Sequence, residues 1–128
     1  MKIARWIFGV AATYGILILL ASYFGARQIG EQYPPAVTHV EYFYGFVSLA
    51  MVFQFVFVLI ASDPFRYRPL MIVSIFEKLA FFVPATIIKV TSSIPSPTYF
   101  FACIDLFLGA LFAVAYVATR NESTRVIV

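Results

Sequence analysis

The chain has 128 residues, of which 62% are hydrophobic and 12% charged, against about half apolar and about a quarter charged in soluble domains. A soluble fold of this length hides only about two-thirds of its unfolded surface, so it cannot bury this much apolar material. The nine Lys and Arg give a net charge of +3 but are scattered singly or in pairs. Nucleic acid is therefore excluded as a partner for want of a phosphate-binding stripe. Cys103 is the sole cysteine, which rules out an intramolecular disulfide and a cysteine-rich metal site.

Four apolar stretches, at about 6–24, 43–61, 69–88 and 99–118, each approach the ~20 residues needed to cross ~30 Å of hydrocarbon as a helix. The expected fold is all-α: a polytopic, up-down four-helix transmembrane bundle forming a single membrane domain over residues 1–128. Lys2 and Arg5 precede the first stretch, as in a signal peptide. That stretch is longer than a signal's ~7–15-residue apolar core, and cleavage after Ala26 would put Phe24 where a small residue is wanted, so a retained helix is expected. Lys2, Arg5, Arg66, Arg68, Arg120 and Arg125 fall on one side of the membrane, against Arg27 and Lys89 on the other. The positive-inside rule then predicts cytoplasmic termini and a cytoplasmic middle loop.

Between the first two spans, Tyr33-Pro34-Pro35 predicts a stiff, extended lead-in, and the loop as a whole is expected to be ordered. Thr38-His39-Val40-Glu41 matches the capping-box pattern, which predicts that the second span starts at about His39. His39 and Glu41 are candidate outer-loop ligands. Their i, i+2 spacing faces them apart on a helix and there is no second histidine, so capping is the plainer role for Glu41 and no metal is expected. Ser62-Asp63-Pro64 predicts a capped turn, with Arg66 and Arg68 among lipid headgroups beyond it. Tyr23, Tyr42, Tyr44, Tyr67, Tyr99 and Tyr116 lie near span ends, where such rings anchor at the interface.

Gln54, Glu77, Lys78 and Asp105 fall at membrane depth, where an ionised group costs several kcal/mol unless it faces protein or water. Helical rise places Gln54 and Glu77 ~12–14 Å from the cytoplasmic edge and Asp105 ~9 Å nearer the outside, which predicts two levels. Asp105 shares a helix face with Ala102, Gly109, Ala113 and Tyr116, and such small residues predict close packing into the bundle. Glu77 shares its face with Ser74, Phe81 and Pro84, and the proline predicts a kink. Gln54 shares a stripe with Val47, Ala50 and Ala61, and would bond Glu77 if the second and third spans form an antiparallel hairpin. The first span offers Gly9, Ala12 and Thr13 as a close-packing surface. Lys78 points about 100° away from Glu77, leaving it to snorkel or to pair with Asp105.

These four polar residues are candidate ligand-binding groups in an intramembrane pocket. Their plainer role is interhelical polar contact worth ~0.6–2 kcal/mol each. No nucleophile elbow, phosphate loop, HExxH or flavin fingerprint is present, so no motif supports enzymatic chemistry and no cofactor is expected.

Tyr33-Pro34-Pro35 with Thr38-His39 and Glu41-Tyr42, Asp63-Pro64 with Arg66-Tyr67-Arg68-Pro69-Leu70-Met71, and Glu77-Lys78 resemble a group of small bacterial inner-membrane proteins of about this length. The resemblance covers most of the chain and implies a four-helix protein of the bacterial cytoplasmic membrane, with no activity attached. In size and span number the chain is also similar to DoxX-like and sterol-isomerase-like families, and no functional residue carries over from them. The leading expectation is a binding module for a lipophilic molecule or lipid. A small membrane enzyme acting on a lipid or isoprenoid, with Glu77 or Asp105 as acid–base groups, is the alternative. Another is an accessory subunit whose small-residue faces bind a second membrane protein or a second copy. A proton-coupled transporter is disfavoured, because four helices leave a narrow path.

Overall fold

The structure, a computed structural model, describes residues 1–34 and 36–125. Its helices are α1 (Lys2–Phe24), α2 (Ala26–Gln32), α3 (Val40–Ser62), α4 (Arg68–Thr91) and α5 (Ser96–Arg125). Each apolar stretch becomes one long helix, because in hydrocarbon every backbone amide must be satisfied within its own segment. The 23 residues of α1 reach about 35 Å at the standard rise, enough to span. Trp6 is 73% exposed and Phe107 63% exposed. With four such helices presenting large apolar side chains outward, the surrounding medium is lipid, and the chain is a multi-pass membrane protein.

The spans lie in a ring in the order α3, α1, α5, α4. The pairs α1/α3 and α4/α5 pack closely, α1 meets α5, and α3 and α4 touch most sparsely among neighbouring spans. The second and third spans therefore do not form the packed hairpin that their short connection suggested. The 63–67 turn joins α3 and α4 at one end only. As expected, Asp63 caps that turn by accepting from the Arg66 amide at 3.2 Å.

Between the first and second spans lies the additional short helix α2, carrying an exposed Arg27–Glu31 pair at 3.0 Å. The chain then folds back over Gly30, where an added Cβ would sit 3.1 Å from the Val37 nitrogen. The extended lead-in expected at Tyr33-Pro34-Pro35 includes Pro35, which lies outside the described residues. Helix α3 begins at Val40 with His39 as its N-cap and no side-chain cap bond. The capping box is thus not formed. With His39 held outside helical geometry (φ −99°, ψ 75°), Glu41 turns to its imidazole instead.

The bundle has two unlike halves. Toward the end that carries Met1 and the 63–67 turn, Phe8, Phe57 and Phe112 are fully buried. Phe8 and Phe112 stack with centroids 4.2 Å apart, and Phe57 meets Phe112 edge-on at 5.0 Å. Ile60 and Met71 join this core with Ala4, Ala11, Ala12 and Ala115, and the small residues admit the rings and let the backbones approach. Lipid tails are as apolar as these side chains, so close packing rather than the hydrophobic effect holds this half together. Arg68 ties α4 to α5 at the same end. It donates to Thr119 Oγ1 and to the Tyr116 carbonyl, both at 3.3 Å, and lies 3.9 Å from the Tyr116 ring centroid. Of the two arginines expected among headgroups, Arg68 is thus drawn into the bundle.

Candidate functional site

The opposite half of the bundle holds a cavity of about 680 Å³, within the 300–1,000 Å³ range of small-molecule pockets. All four spans contribute to its wall, and Ile29 of α2 with Tyr33 also line it. Its floor lies against the phenylalanine core. There Lys78 Nζ sits 5.3 Å from the Phe57 ring centroid, with Gln54, Glu77 and Asp105 alongside among the lining residues.

Lys78 organises the floor. Its ammonium donates to Asp105 Oδ1 at 3.1 Å and lies 3.2 Å from Glu77 Oε2. The two levels expected for Glu77 and Asp105 are joined through its four-carbon stem. Snorkelling is not adopted: Lys78 is only 6% exposed. Glu77 was expected to face away from its neighbour. The flexible stem nevertheless brings the ammonium within ion-pair distance, although Glu77 Oε2 has no aligned hydrogen-bond partner.

Helix α5 makes this arrangement possible. Ala102 and Gly109 are buried, and a Cβ on Gly109 would lie 3.3 Å from Lys78 Cβ. The small-residue face that was expected to point inward does so, and it brings the Asp105 backbone close enough for the pair to form.

Gln54 does not bond Glu77. Its Nε2 donates to the Ala50 carbonyl one turn earlier, at 3.0 Å, which fixes the carboxamide with Oε1 toward α1. That oxygen is buried without a hydrogen-bond partner and lies over Gly15, where a Cβ would overlap it. The sparse α3–α4 contact is the reason the Gln54–Glu77 bond fails. Thr13, expected in a close-packing surface, is exposed and donates to the Gly9 carbonyl. Gly15 is the glycine of α1 that a neighbouring span occupies most tightly.

Tyr14, Gly15 and Thr98 line the cavity and were not singled out from the sequence. Tyr14 carried a signal: among the tyrosines it is the one near the middle of the first span, away from either interface. Serving as cavity wall on the α3–α4 side are Phe46, Leu49, Val73 and Phe76, which are also exposed. Their double role marks the seam where the cavity meets the membrane. Phe46 and Phe81 bridge the seam with ring centroids 5.6 Å apart.

The two outer-loop candidates come together by themselves. His39 Nδ1 lies 3.4 Å from Glu41 Oε1, with side chains 73% and 68% exposed. Among the described residues no group of three metal-ligating side chains forms, and this pair is remote from the cavity floor.

Comparison with protein-family models, with curated proteins and with solved structures finds no match to this chain. The geometry of the cavity therefore carries the functional reading.

Proposed function

We propose that this protein is an intramembrane binding module that takes a lipophilic small molecule or lipid through the α3–α4 seam, its polar head on the Gln54, Glu77, Lys78 and Asp105 floor. The observation that carries this reading is the division of one bundle into a packed half and a half that leaves a partly open space of about 680 Å³ between the spans. Helices that gain from close packing would tend to close such a space if nothing were gained by keeping it. Ionisable side chains at membrane depth are costly and mark functional sites by default. A wall that is aromatic and aliphatic with a few convergent polar groups is the ordinary make-up of a small-molecule site. Entry from the bilayer fits the exposed apolar rims of the seam, since a lipophile concentrates in hydrocarbon.

We infer the bacterial cytoplasmic membrane from the resemblance to small bacterial inner-membrane proteins, and cytoplasmic termini with a cytoplasmic 63–67 turn from the distribution of Lys and Arg. The cavity then opens into the outer half of the bilayer.

Mass spectrometry of small molecules retained by protein purified in mild detergent tests the binding reading. Wild type should carry a lipophilic species that an Asp105→Asn, Glu77→Gln double variant loses. The same species at the same occupancy in both would contradict it.

A further inference from the structure

We infer that the head group accepted by this cavity is a cationic hydrogen-bond donor, so that its ligand belongs to the class of lipophilic amines. The inference rests on the binding reading above and specifies which ligand that site selects.

The donors on the cavity floor are already committed. Lys78 Nζ is engaged by Asp105 Oδ1 at 3.1 Å and Glu77 Oε2 at 3.2 Å, and the Phe57 ring approaches it at 5.3 Å. Gln54 Nε2 is used on the Ala50 carbonyl. What remains is acceptors. The carboxylates are the more accessible members of the cluster, with Asp105 and Glu77 side chains 20% and 15% exposed against 7% for Lys78. Gln54, 2% exposed and on the cavity wall, keeps Oε1 without a donor.

Charge points the same way. Two carboxyl groups face one ammonium, a formal charge of −1 when both acids are ionised, and among the described residues lining the cavity Lys78 is the only basic one. An anionic head would meet carboxylate oxygens with no free cation to receive it, and in a low-dielectric site that repulsion is weakly screened. A ligand ammonium supplies donors to the accessible oxygens and balances the charge. Tyr14 and Thr98 hydroxyls on the wall can donate or accept, so they do not set the sign.

Three probes sharing one tail separate the head from the chain: dodecylamine, dodecanol and dodecanoate, titrated at pH 7 against the protein in nanodiscs of neutral phosphatidylcholine. Nanodiscs without protein correct for partition into lipid. Dodecylamine should bind about ten-fold or more tightly than dodecanoate, as charge-assisted hydrogen bonds predict, with dodecanol between them. The Asp105→Asn, Glu77→Gln variant should lose most of that preference, and so should a folded Lys78→Met, Asp105→Asn, Glu77→Gln variant, which leaves no buried charge unpaired. Equal saturable binding of all three, or tighter binding of dodecanoate, overturns the head-group inference while leaving the binding reading intact. An undiminished preference in the double variant also overturns it, because the acids would not be its source. Absence of saturable binding by every probe removes the binding reading itself, and the inference with it.

Discussion

Lys78 on α4 and Asp105 on α5 form an ion pair of 3.1 Å beneath the cavity, so that a lysine at membrane depth is held by a neighbouring helix rather than by water. Breaking a buried pair from one side leaves an uncompensated charge, which costs more than the pair contributes when intact. Lys78→Met should therefore destabilise the bundle by about 3 kcal/mol or more, and adding Asp105→Asn should recover part of that loss. Unfolding titrations in detergent of both single variants and the double variant check this through their coupling. Strictly additive effects would mean that the two side chains do not depend on each other.

Gly15 and Gly109 are both buttressed, but unequally. At Gly15 a methyl group would overlap the Gln54 carboxamide, whereas at Gly109 it would meet Lys78 Cβ at 3.3 Å. Gly15→Ala should cost about 1–3 kcal/mol as an overpacked contact. Gly109→Ala should cost less, because a shift of a few tenths of an ångström relieves its 3.3 Å contact, and the gain of about 0.5–1 kcal/mol in helix propensity common to both sites then offsets more of the cost. Thermal unfolding of the two variants side by side measures the ranking, and a reversed order would contradict the contact at Gly15.

The three-ring core at the other end predicts a lipid-adjusted cost. Phe112→Ala removes a ring stacked at 4.2 Å on Phe8. In water-soluble cores such a change costs about 3–5 kcal/mol. Here the unfolded reference is itself solvated by lipid, so about 1–3 kcal/mol of lost packing is expected. Phe107→Ala, on an exposed face, should change stability by less than about 0.5 kcal/mol.

Arg68 predicts a contrast with its neighbour. It combines two hydrogen bonds with ring stacking on Tyr116, whereas Arg66 is exposed and lies 5.6 Å from the Tyr67 ring centroid. Lysine cannot reproduce a planar fork stacked on a ring. Arg68→Lys should cost about 1 kcal/mol or more, and Arg66→Lys almost nothing. Equal effects in unfolding experiments would show that the Arg68 contacts carry no stability.

What the sequence made legible follows from what a membrane constrains. Span number and length could be read because hydrocarbon thickness fixes them, and the inward face of α5 because Ala102 and Gly109 are small. Helix facing elsewhere was hard to read, since lipid-facing and core-facing positions are both apolar and no polar stripe separates them. Connection length then misled. The short 63–67 turn implied that α3 and α4 pack tightly, yet the long α1–α3 connection joins a better-packed pair. From that error followed the unmade Gln54–Glu77 bond. Thr38 and Glu41 matched a local cap pattern, but the imidazole of His39 offered Glu41 a nearer partner. For Lys78 the wheel angle left snorkelling or Asp105, and the Asp105 pair forms; the added approach to Glu77 was hidden because a four-carbon stem reaches across the ~100° that the wheel assigns to adjacent residues.

Filling the cavity without touching its polar floor tests the central claim most directly. Ala50 lines it and is half-buried, so Ala50→Trp puts an indole into the space while leaving Gln54, Glu77, Lys78 and Asp105 in place. Quantitative mass spectrometry of molecules retained after delipidation should find a lipophilic species on wild type and its loss from the variant, with both proteins folded and equally or more stable when filled. An Ala50→Trp protein that folds and still retains the same species at the same occupancy would contradict the account.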